Sequence, residues 1–402
     1  MRLTLRATAA FATALAGAGL AAALTACHPA PPPVAFIADG RPEHLSDWHV
    51  LAVSGGRLAP NAGVLPYNLN TPLFSDYAHK LRTVWMPPGR AAAYSPDKAF
   101  DFPVGTILSK TFYYPRPTGA GAAAAGDAGV LKTYEAQPGA PAAGLDLARV
   151  RLVETRLLVR RTEGWLALPY VWNDAQTDAE LQRTGDRREV ALVDAGAHAQ
   201  PFTYVVPNEN QCASCHVTDL KTHVFTPLGP KARNLNRTLA YTEAQGGPGE
   251  QLARWVKAGF LTGVPAGASA AQLPRAADWQ DTRAPLADRA RAYLDVNCAH
   301  CHQASGTASN TALRLDSAGP VDWSMGLCKP PVAAGKGTGD RLFGIVPGQP
   351  DASILPFRMA STEGGVMMPE LGRSTVHEEG VRLIREWITS LPGRCDAARP
   401  AT

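Results

Sequence analysis

The pattern of apolar and polar positions divides the chain near residue 206. Between residues 41 and 206, short runs of β-branched and aromatic residues alternate with Gly, Pro, Asn and Asp, which predicts strands separated by turns. The turn Thr162-Glu163-Gly164 lies between two such runs and predicts a hairpin. We therefore predict a β-rich domain over residues 41–206. Its clearest strands are Thr106–Tyr114, Arg149–Arg160, Trp165–Trp172 and Phe202–Val206.

A helical period follows in the second half of the chain. Apolar residues recur every 3.6 positions after Pro285 and predict a helix that runs into Cys298. A second apolar face, from Val376 to Leu391, predicts a C-terminal helix, for which Thr375 and Glu378 form a capping-box pattern. A weaker helix is predicted over residues 250–260. The Ala- and Gly-rich stretch 119–129 is predicted to be a surface insertion without regular structure.

The N-terminus has the pattern of an export signal. Arg2 and Arg6 precede an apolar run that ends in Leu24-Thr25-Ala26-Cys27, which resembles a bacterial lipobox. Residues 1–26 are therefore predicted to be a lipoprotein signal peptide, Cys27 to be lipidated, and residues 27–40 to be a Pro-rich tether. The predicted location is the periplasmic face of a bacterial membrane. Soluble secretion with an incidental Cys27 is the alternative.

Two copies of the pattern C-x-x-C-H carry the candidate chemistry. They are Cys212-Ala213-Ser214-Cys215-His216 and Cys298-Ala299-His300-Cys301-His302. This spacing is the attachment site of a c-type haem, with two thiols for the porphyrin vinyl groups and an imidazole for the iron. We therefore predict two covalently bound haem c groups, with His216 and His302 as iron ligands and His300 as a spacer. A zinc half-site or a disulfide hairpin is the alternative for such a motif.

The sequence indicates the sixth iron ligand more clearly for the second haem than for the first. Met368, before Pro369 and after a long loop, is the predicted ligand of the second haem, and Met367 and Met359 are interpreted as packing residues. No methionine lies between His216 and Met325, so the first haem lacks a local methionine. His223 is its tentative sixth ligand. The alternatives are an open site or delivery from the β-rich region by Met86, His44, His49, His79 or His198.

The remaining cysteines, Lys110 and the net charge provide fewer indications of function. Cys328 and Cys395 are predicted to form a disulfide in an oxidising compartment, with two separate thiols as the alternative. Residues 102–112, with Lys110, locally resemble a strand of lysine-crosslinked haem enzymes, but Lys110 is expected to be an exposed strand residue. The formal net charge is +4 over 402 residues, and removal of a leader with two basic residues and no acidic residue would lower it further. Nothing in this balance points to nucleic acid.

Beyond about Pro285, the chain resembles a small cytochrome c domain, with its Tyr293-Leu294 helix, C-x-x-C-H, Met368-Pro369 and Trp387 helix. From residue 27 onward it is similar to a bacterial family of diheme c-type cytochromes, many of them lipoproteins, that has no settled activity. By resemblance, the Pro230 carbonyl of Gly229-Pro230 could orient His216; a simple turn is the alternative. The stretches that carry the family resemblance are residues 70–77, 102–106, 167–173 and 366–372.

These observations combine into one expectation for fold and function. We expect a multidomain protein with a β-rich N-terminal domain of unknown role, followed by two mainly α cytochrome c-like haem units at residues 207–282 and 283–398, the second more regular. The expected activity is single-electron transfer with periplasmic redox proteins. One alternative is a peroxidase-like diheme enzyme with a substrate-accessible first haem. Another is a haem-bearing docking subunit of an exported complex, since family members are often encoded beside a parallel β-helix protein.

Overall fold

The computed structural model describes residues 31–135, 142–333 and 335–395. The strands within these ranges are β1 (Leu51–Ser54), β2 (Arg57–Pro60), β3 (Leu65–Tyr67), β4 (His79–Trp85), β5 (Ala92–Ala93), β6 (Ile107–Pro115), β7 (Gly129–Leu131), β8 (Leu145–Asp146), β9 (Val150–Arg161), β10 (Gly164–Trp172), β11 (Ala179–Leu181), β12 (Asp186–Val193), β13 (Ala199–Val206), β14 (Thr238–Leu239), β15 (Gly249–Glu250) and β16 (Leu261–Thr262). The α-helices are α1 (Ala120–Ala125), α2 (Glu209–His216), α3 (Ala232–Leu235), α4 (Gln251–Lys257), α5 (Leu286–Asn297), α6 (Ile354–Met359) and α7 (Glu378–Ser390).

A six-stranded antiparallel sheet, in the order β11-β10-β9-β6-β4-β3, forms the centre of the N-terminal half. The predicted hairpin is confirmed, because Arg161 of β9 pairs with Gly164 of β10. Smaller sheets have the orders β1-β2-β8 and β13-β12-β7. One face of the central sheet packs into a core that contains Leu81, Leu157 and Leu168. The other face is apolar at both ends and charged in its middle, and this charged middle borders the site described below.

The prediction of two mainly α haem units is wrong. The protein is a mixed α and β structure with 25% strand and 23% helix and with several sheets. The physical reason is clearest in residues 207–282, where the helices are short and their apolar residues complete the core of the sheet. Trp255 of α4 packs edge to face against Tyr67 of β3, with ring centroids 5.6 Å apart. The pair β5–β16 further joins this region to the chain between β4 and β6.

Helices α5 and α7 pack around a separate apolar cluster that includes Leu294, Trp387 and Ile388. Helix α5 lies where its apolar period predicted. Helix α7 begins at Glu378, however, and the predicted cap at Thr375 is wrong. The hydroxyl and the backbone N–H of Thr375 instead donate to Oδ1 of the buried Asp76, at 2.8 and 2.7 Å. A hydrogen bond to a distant carboxylate has therefore replaced the local cap.

The Ala- and Gly-rich stretch also differs from its prediction, because residues 120–125 form helix α1. Gly121 is buried in this helix, and a Cβ atom there would lie 3.1 Å from Cγ1 of Val193 in β12. The small side chains thus let the helix approach the sheet closely, whereas the sequence pattern alone suggested only flexibility.

The predicted cysteine pair lies at disulfide distance, with the Cα atoms of Cys328 and Cys395 5.2 Å apart. The predicted signal peptide and Cys27 lie outside the described residues. Part of the predicted tether is described and is packed, since the Pro32 carbonyl accepts a 2.8 Å hydrogen bond from Asn61. Within the described ranges, no helix is long and apolar enough to cross a membrane.

Candidate functional site

The two C-x-x-C-H motifs touch each other. The Cys301 thiol lies 3.7 Å from the carbonyl oxygen of Ser214, which is inside the first motif. The Leu220 N–H donates to the Ser305 carbonyl at 2.8 Å, so the segments that follow the two motifs are also joined. Residues that are far apart in sequence therefore form one site.

Local structure explains how each motif is presented. The first lies within α2, whose start is fixed by a capping box: the Asn208 side chain accepts from the Gln211 N–H at 2.8 Å, and the Gln211 side chain accepts from the Asn208 N–H at 3.0 Å. The second begins at the C-cap of α5, where the Cys298 N–H donates to the Leu294 carbonyl at 2.9 Å. One motif thus follows a strand and the other follows a long helix.

Both motifs open on a cavity of about 860 Å³, which is within the range of cofactor and ligand pockets. Cys212, Cys215, His216 and Cys298 line it, and so does the predicted ligand Met368. Cys301 and His302 are not part of this lining. The cavity is bounded by strands β4, β6 and β9 on one side and by α5 and the loop before α7 on the other.

His216 is held in the form that can bind a metal. Its Nδ1 donates a 2.8 Å hydrogen bond to the Thr226 carbonyl, and its ring stacks on Phe225 with centroids 4.6 Å apart. Burial, reinforced by the charge of Lys110, lowers the pKa of His216 to about 3. The neutral ring therefore has Nε2 available as a ligand. The orienting carbonyl belongs to Thr226 and not to Pro230, whose own carbonyl accepts from the Phe100 N–H.

His302 is arranged in a similar way. The Thr311 hydroxyl donates to the Ala308 carbonyl at 2.7 Å and lies 3.2 Å from Nδ1 of His302, so the imidazole is the donor in that second contact. Burial lowers the pKa of His302 to about 4. Its Nε2 is again the free nitrogen.

The four motif cysteines carry free thiols. Burial raises the pKa of Cys215 to about 11 and that of Cys298 to about 12, so both sulfurs are protonated at neutral pH. Within the described ranges, no group of three or more His, Cys, Asp or Glu side chains is arranged to hold a metal ion. Two thiols and an imidazole at C-x-x-C-H spacing are the donor set for covalent attachment and axial ligation of a haem.

The candidate sixth ligands differ in position. Met368 and Met359 line the cavity, but Met359 is also 6% exposed and part of the core around α5 and α7, whereas Met367 is outside the lining. The Met368 backbone is fixed on both sides, since its N–H donates to the Arg358 carbonyl at 3.0 Å and its carbonyl accepts from Arg373 at 2.9 Å.

For the first motif, the candidates from sequence lie away from the cavity. His223 is exposed and outside the lining. Met86, His44, His49, His79 and His198 are also outside the lining, and Met86 is buried in the core of the sheet. His300, interpreted as a spacer, does line the cavity, and its Nδ1 is buried without a hydrogen-bond partner among the described residues.

A hydrogen-bonded chain at His377 was missed by sequence reasoning. Nδ1 of His377 lies 2.8 Å from the Tyr293 hydroxyl in the cavity wall, and Nε2 lies 2.6 Å from the Tyr134 hydroxyl. Tyr134 in turn donates to Glu379 at 2.8 Å, and Phe74 stacks on the imidazole with centroids 4.1 Å apart. These partners come from four distant segments, so no local sequence signal could have grouped them.

Lys110 was also misjudged, because it lines the cavity beside the first motif and is not an exposed strand residue. Burial lowers its pKa to about 7, with the charges of Arg156 and Arg82 as the next causes. The sequence showed the strand but not which of its faces would be covered.

Comparison of the chain with protein-family models, with curated proteins and with solved structures finds no match. The resemblance to diheme cytochromes therefore remains a hypothesis that rests on the residues named above.

Acid should destabilise the protein partly through His377. Burial lowers its pKa to about 3, with Glu379 opposing the shift and Lys80, Arg373 and Lys132 adding to it. An unfolded histidine has a pKa of about 6.5, so the unfolded chain binds the proton first as pH falls. Keeping His377 neutral therefore costs no stability above about pH 6.5, and the free energy of unfolding falls progressively as the pH drops from about 6.5 toward 3. His377→Gln should therefore shrink the fall in unfolding free energy between about pH 7.5 and about pH 5 by roughly 2 kcal/mol.

The measurement is urea unfolding at both pH values, followed by circular dichroism. His198→Gln is the matched control, because that side chain is 84% exposed. An equal pH dependence in wild type and His377→Gln would show that the imidazole is not kept neutral by the fold.

Proposed function

We propose that the protein is a diheme c-type cytochrome that transfers single electrons in the periplasm, anchored to the membrane by a lipid on Cys27. The observation that carries this proposal is the direct contact between two C-x-x-C-H motifs that open on one cavity. A haem, when bound, supplies a reversible one-electron change at iron. Two such groups on touching motifs would lie close enough to exchange electrons.

The residues of the chain have distinct roles in this proposal. Cys212 and Cys215 would attach one haem and Cys298 and Cys301 the other. His216 and His302 would each bind an iron through Nε2, while Thr226 and Thr311 hold their rings. Met368 would complete the second haem.

The first test is the mass of the denatured protein after production in a cell with the c-type maturation machinery. Thioether-linked haem survives denaturation, so wild type should carry two haems per chain. Cys212→Ser/Cys215→Ser and Cys298→Ser/Cys301→Ser should carry one each. Cys328→Ser/Cys395→Ser, which removes cysteines outside the motifs, should retain two. A wild-type mass without covalent haem would refute the proposal.

A second candidate function is a diheme enzyme whose first haem binds a small substrate. It is favoured by one observation: the sixth-ligand residues considered from sequence for that haem lie outside the cavity. Electron paramagnetic resonance of the oxidised protein separates the two functions. A five-coordinate, high-spin haem that binds cyanide supports the enzyme, and two low-spin haems indifferent to cyanide support the carrier.

Periplasmic redox proteins are the proposed partners of the carrier; an exported β-helix protein would be the partner of a docking subunit.

A further inference from the structure

Three basic residues lie directly opposite one another on neighbouring strands of the central sheet. Arg82 of β4 pairs in register with Lys110 of β6, and Lys110 pairs with Arg156 of β9. All three side chains line the cavity beside the first motif. We call Arg82, Lys110 and Arg156 the cation row. Like charges placed directly opposite on adjacent strands repel, so this arrangement is destabilising by itself.

The row is only partly neutralised by the protein. Arg156 donates to the buried carboxylate of Glu154 at 2.7 and 2.5 Å. Arg82, which is 5% exposed, has one side-chain hydrogen-bond partner among the described residues, the neutral Asn68 amide oxygen at 3.3 Å. The Lys110 ammonium lies over the Phe112 ring, 5.1 Å from its centroid, and makes no hydrogen bond within the described ranges. One carboxylate therefore faces two guanidinium groups and an amine whose pKa burial lowers to about 7.

Within the described ranges, none of the acidic residues that line the cavity, which are Asp97, Asp219, Asp295 and Asp316, forms an ion pair with the row. Lys80, two residues before Arg82 on β4, is a further basic residue: burial lowers its pKa well below the usual value, and its amine donates to the Leu73 carbonyl. The carboxylate of Asp76 near it is already used by Ser374 and Thr375. Across the cavity, Asp295 is paired with Arg233 at 2.8 Å. Buried charges are normally paired, so the unpaired positive charge marks a place for an anion.

We propose that the cation row binds the carboxylate of a ligand in the cavity beside the first motif. Two donors in fixed positions and a third that is free to rotate suit an oxyanion with two oxygens. The carboxylate could be a propionate of a haem attached at Cys212 and Cys215, or belong to a small organic acid from solution. The first source rests on the proposed function, and the second does not. In either case, the row would set the orientation of what occupies the cavity.

The test compares Lys110→Met with two reference variants in the full-length holoprotein. Lys110→Arg keeps the charge, and Lys98→Met removes an exposed lysine from the same cavity but outside the row. Sodium acetate is titrated calorimetrically at constant ionic strength. Resonance Raman spectra are recorded in the region of the propionate bending modes. Circular dichroism verifies that each variant is folded.

A solution ligand predicts saturable acetate binding that weakens about tenfold or more in Lys110→Met, the loss expected for one charge-assisted hydrogen bond. A propionate predicts no acetate binding, but a propionate bending band that shifts in Lys110→Met. In both cases, Lys110→Arg and Lys98→Met should behave like wild type. The proposal is overturned if neither signal changes, or if Lys110→Arg changes as much as Lys110→Met. If the chain carries no covalent haem, the proposed function fails, while the acetate titration still decides whether the row binds an anion.

Discussion

If the protein is the proposed diheme cytochrome, Met368→Ala should lower the reduction potential of one haem by about 0.1 V or more and leave the other unchanged. A thioether ligand stabilises reduced iron, and axial ligands span a range of about 0.8 V in proteins. Met368 lines the cavity together with Cys298 of the second motif, and its backbone is fixed by the Arg358 carbonyl and the Arg373 guanidinium. The backbone that carries this side chain is thus held by hydrogen bonds on both sides. The measurement is a spectroelectrochemical titration, together with the methionine-to-iron charge-transfer band of the oxidised protein.

The neighbouring methionines provide the controls. Met367 lies outside the cavity lining and Met359 is part of the core around α5 and α7. Met367→Ala should therefore leave potential and band unchanged, and Met359→Leu should affect stability more than potential. If the band survives in Met368→Ala but disappears in Met359→Leu, the ligand is Met359.

The sequence predicted correctly those features that are determined by a local pattern of residues. The hairpin at Gly164 and helix α5 were found because turn residues and an apolar period fix them within a few residues. The two C-x-x-C-H motifs were recognisable because each consists of five consecutive residues, and the haem attachment that they indicate stays a prediction. Each of these features is complete in one short segment.

The wrong predictions concern features that depend on contacts between distant segments of the chain. Trp255 lies in a segment with the pattern of an amphipathic helix, but the apolar face of that helix completes a sheet core around Tyr67. The unit predicted to be mainly α is therefore part of a mixed α and β structure. Thr375 has the pattern of a cap, but distant Asp76 takes its hydrogen bonds. Pairings between remote segments decide such outcomes, and a single sequence does not display them.

The cation row follows from the same reasoning. Alternation along β4, β6 and β9 predicts strands but does not show that Arg82, Lys110 and Arg156 meet in register. Once they do, the sheet must supply negative charge nearby. Glu154, on the same strand as Arg156 and two residues away, is the carboxylate that the protein provides.

Glu154→Gln should lower the free energy of unfolding by about 3–5 kcal/mol, the usual cost of breaking a buried ion pair by removing one partner. Glu154 is 0% exposed and accepts from Arg156 and, at 2.7 Å, from the Tyr204 hydroxyl. Glutamine has nearly the same shape and can still accept from Tyr204, so the loss isolates the charge. The measurement is guanidinium chloride unfolding at neutral pH, followed by circular dichroism.

The double variant Glu154→Leu/Arg156→Met is the informative companion. Replacing both members of a buried pair by apolar residues is often neutral, so it should recover most of the stability lost in Glu154→Gln. Asp194→Asn, at an exposed carboxylate, should be indistinguishable from wild type. A loss below about 1 kcal/mol in Glu154→Gln would mean that the charge of Arg156 is balanced by something other than Glu154. Because an anion on the cation row would provide such balance, the same variant should also bind acetate more tightly if the row accepts a ligand from solution.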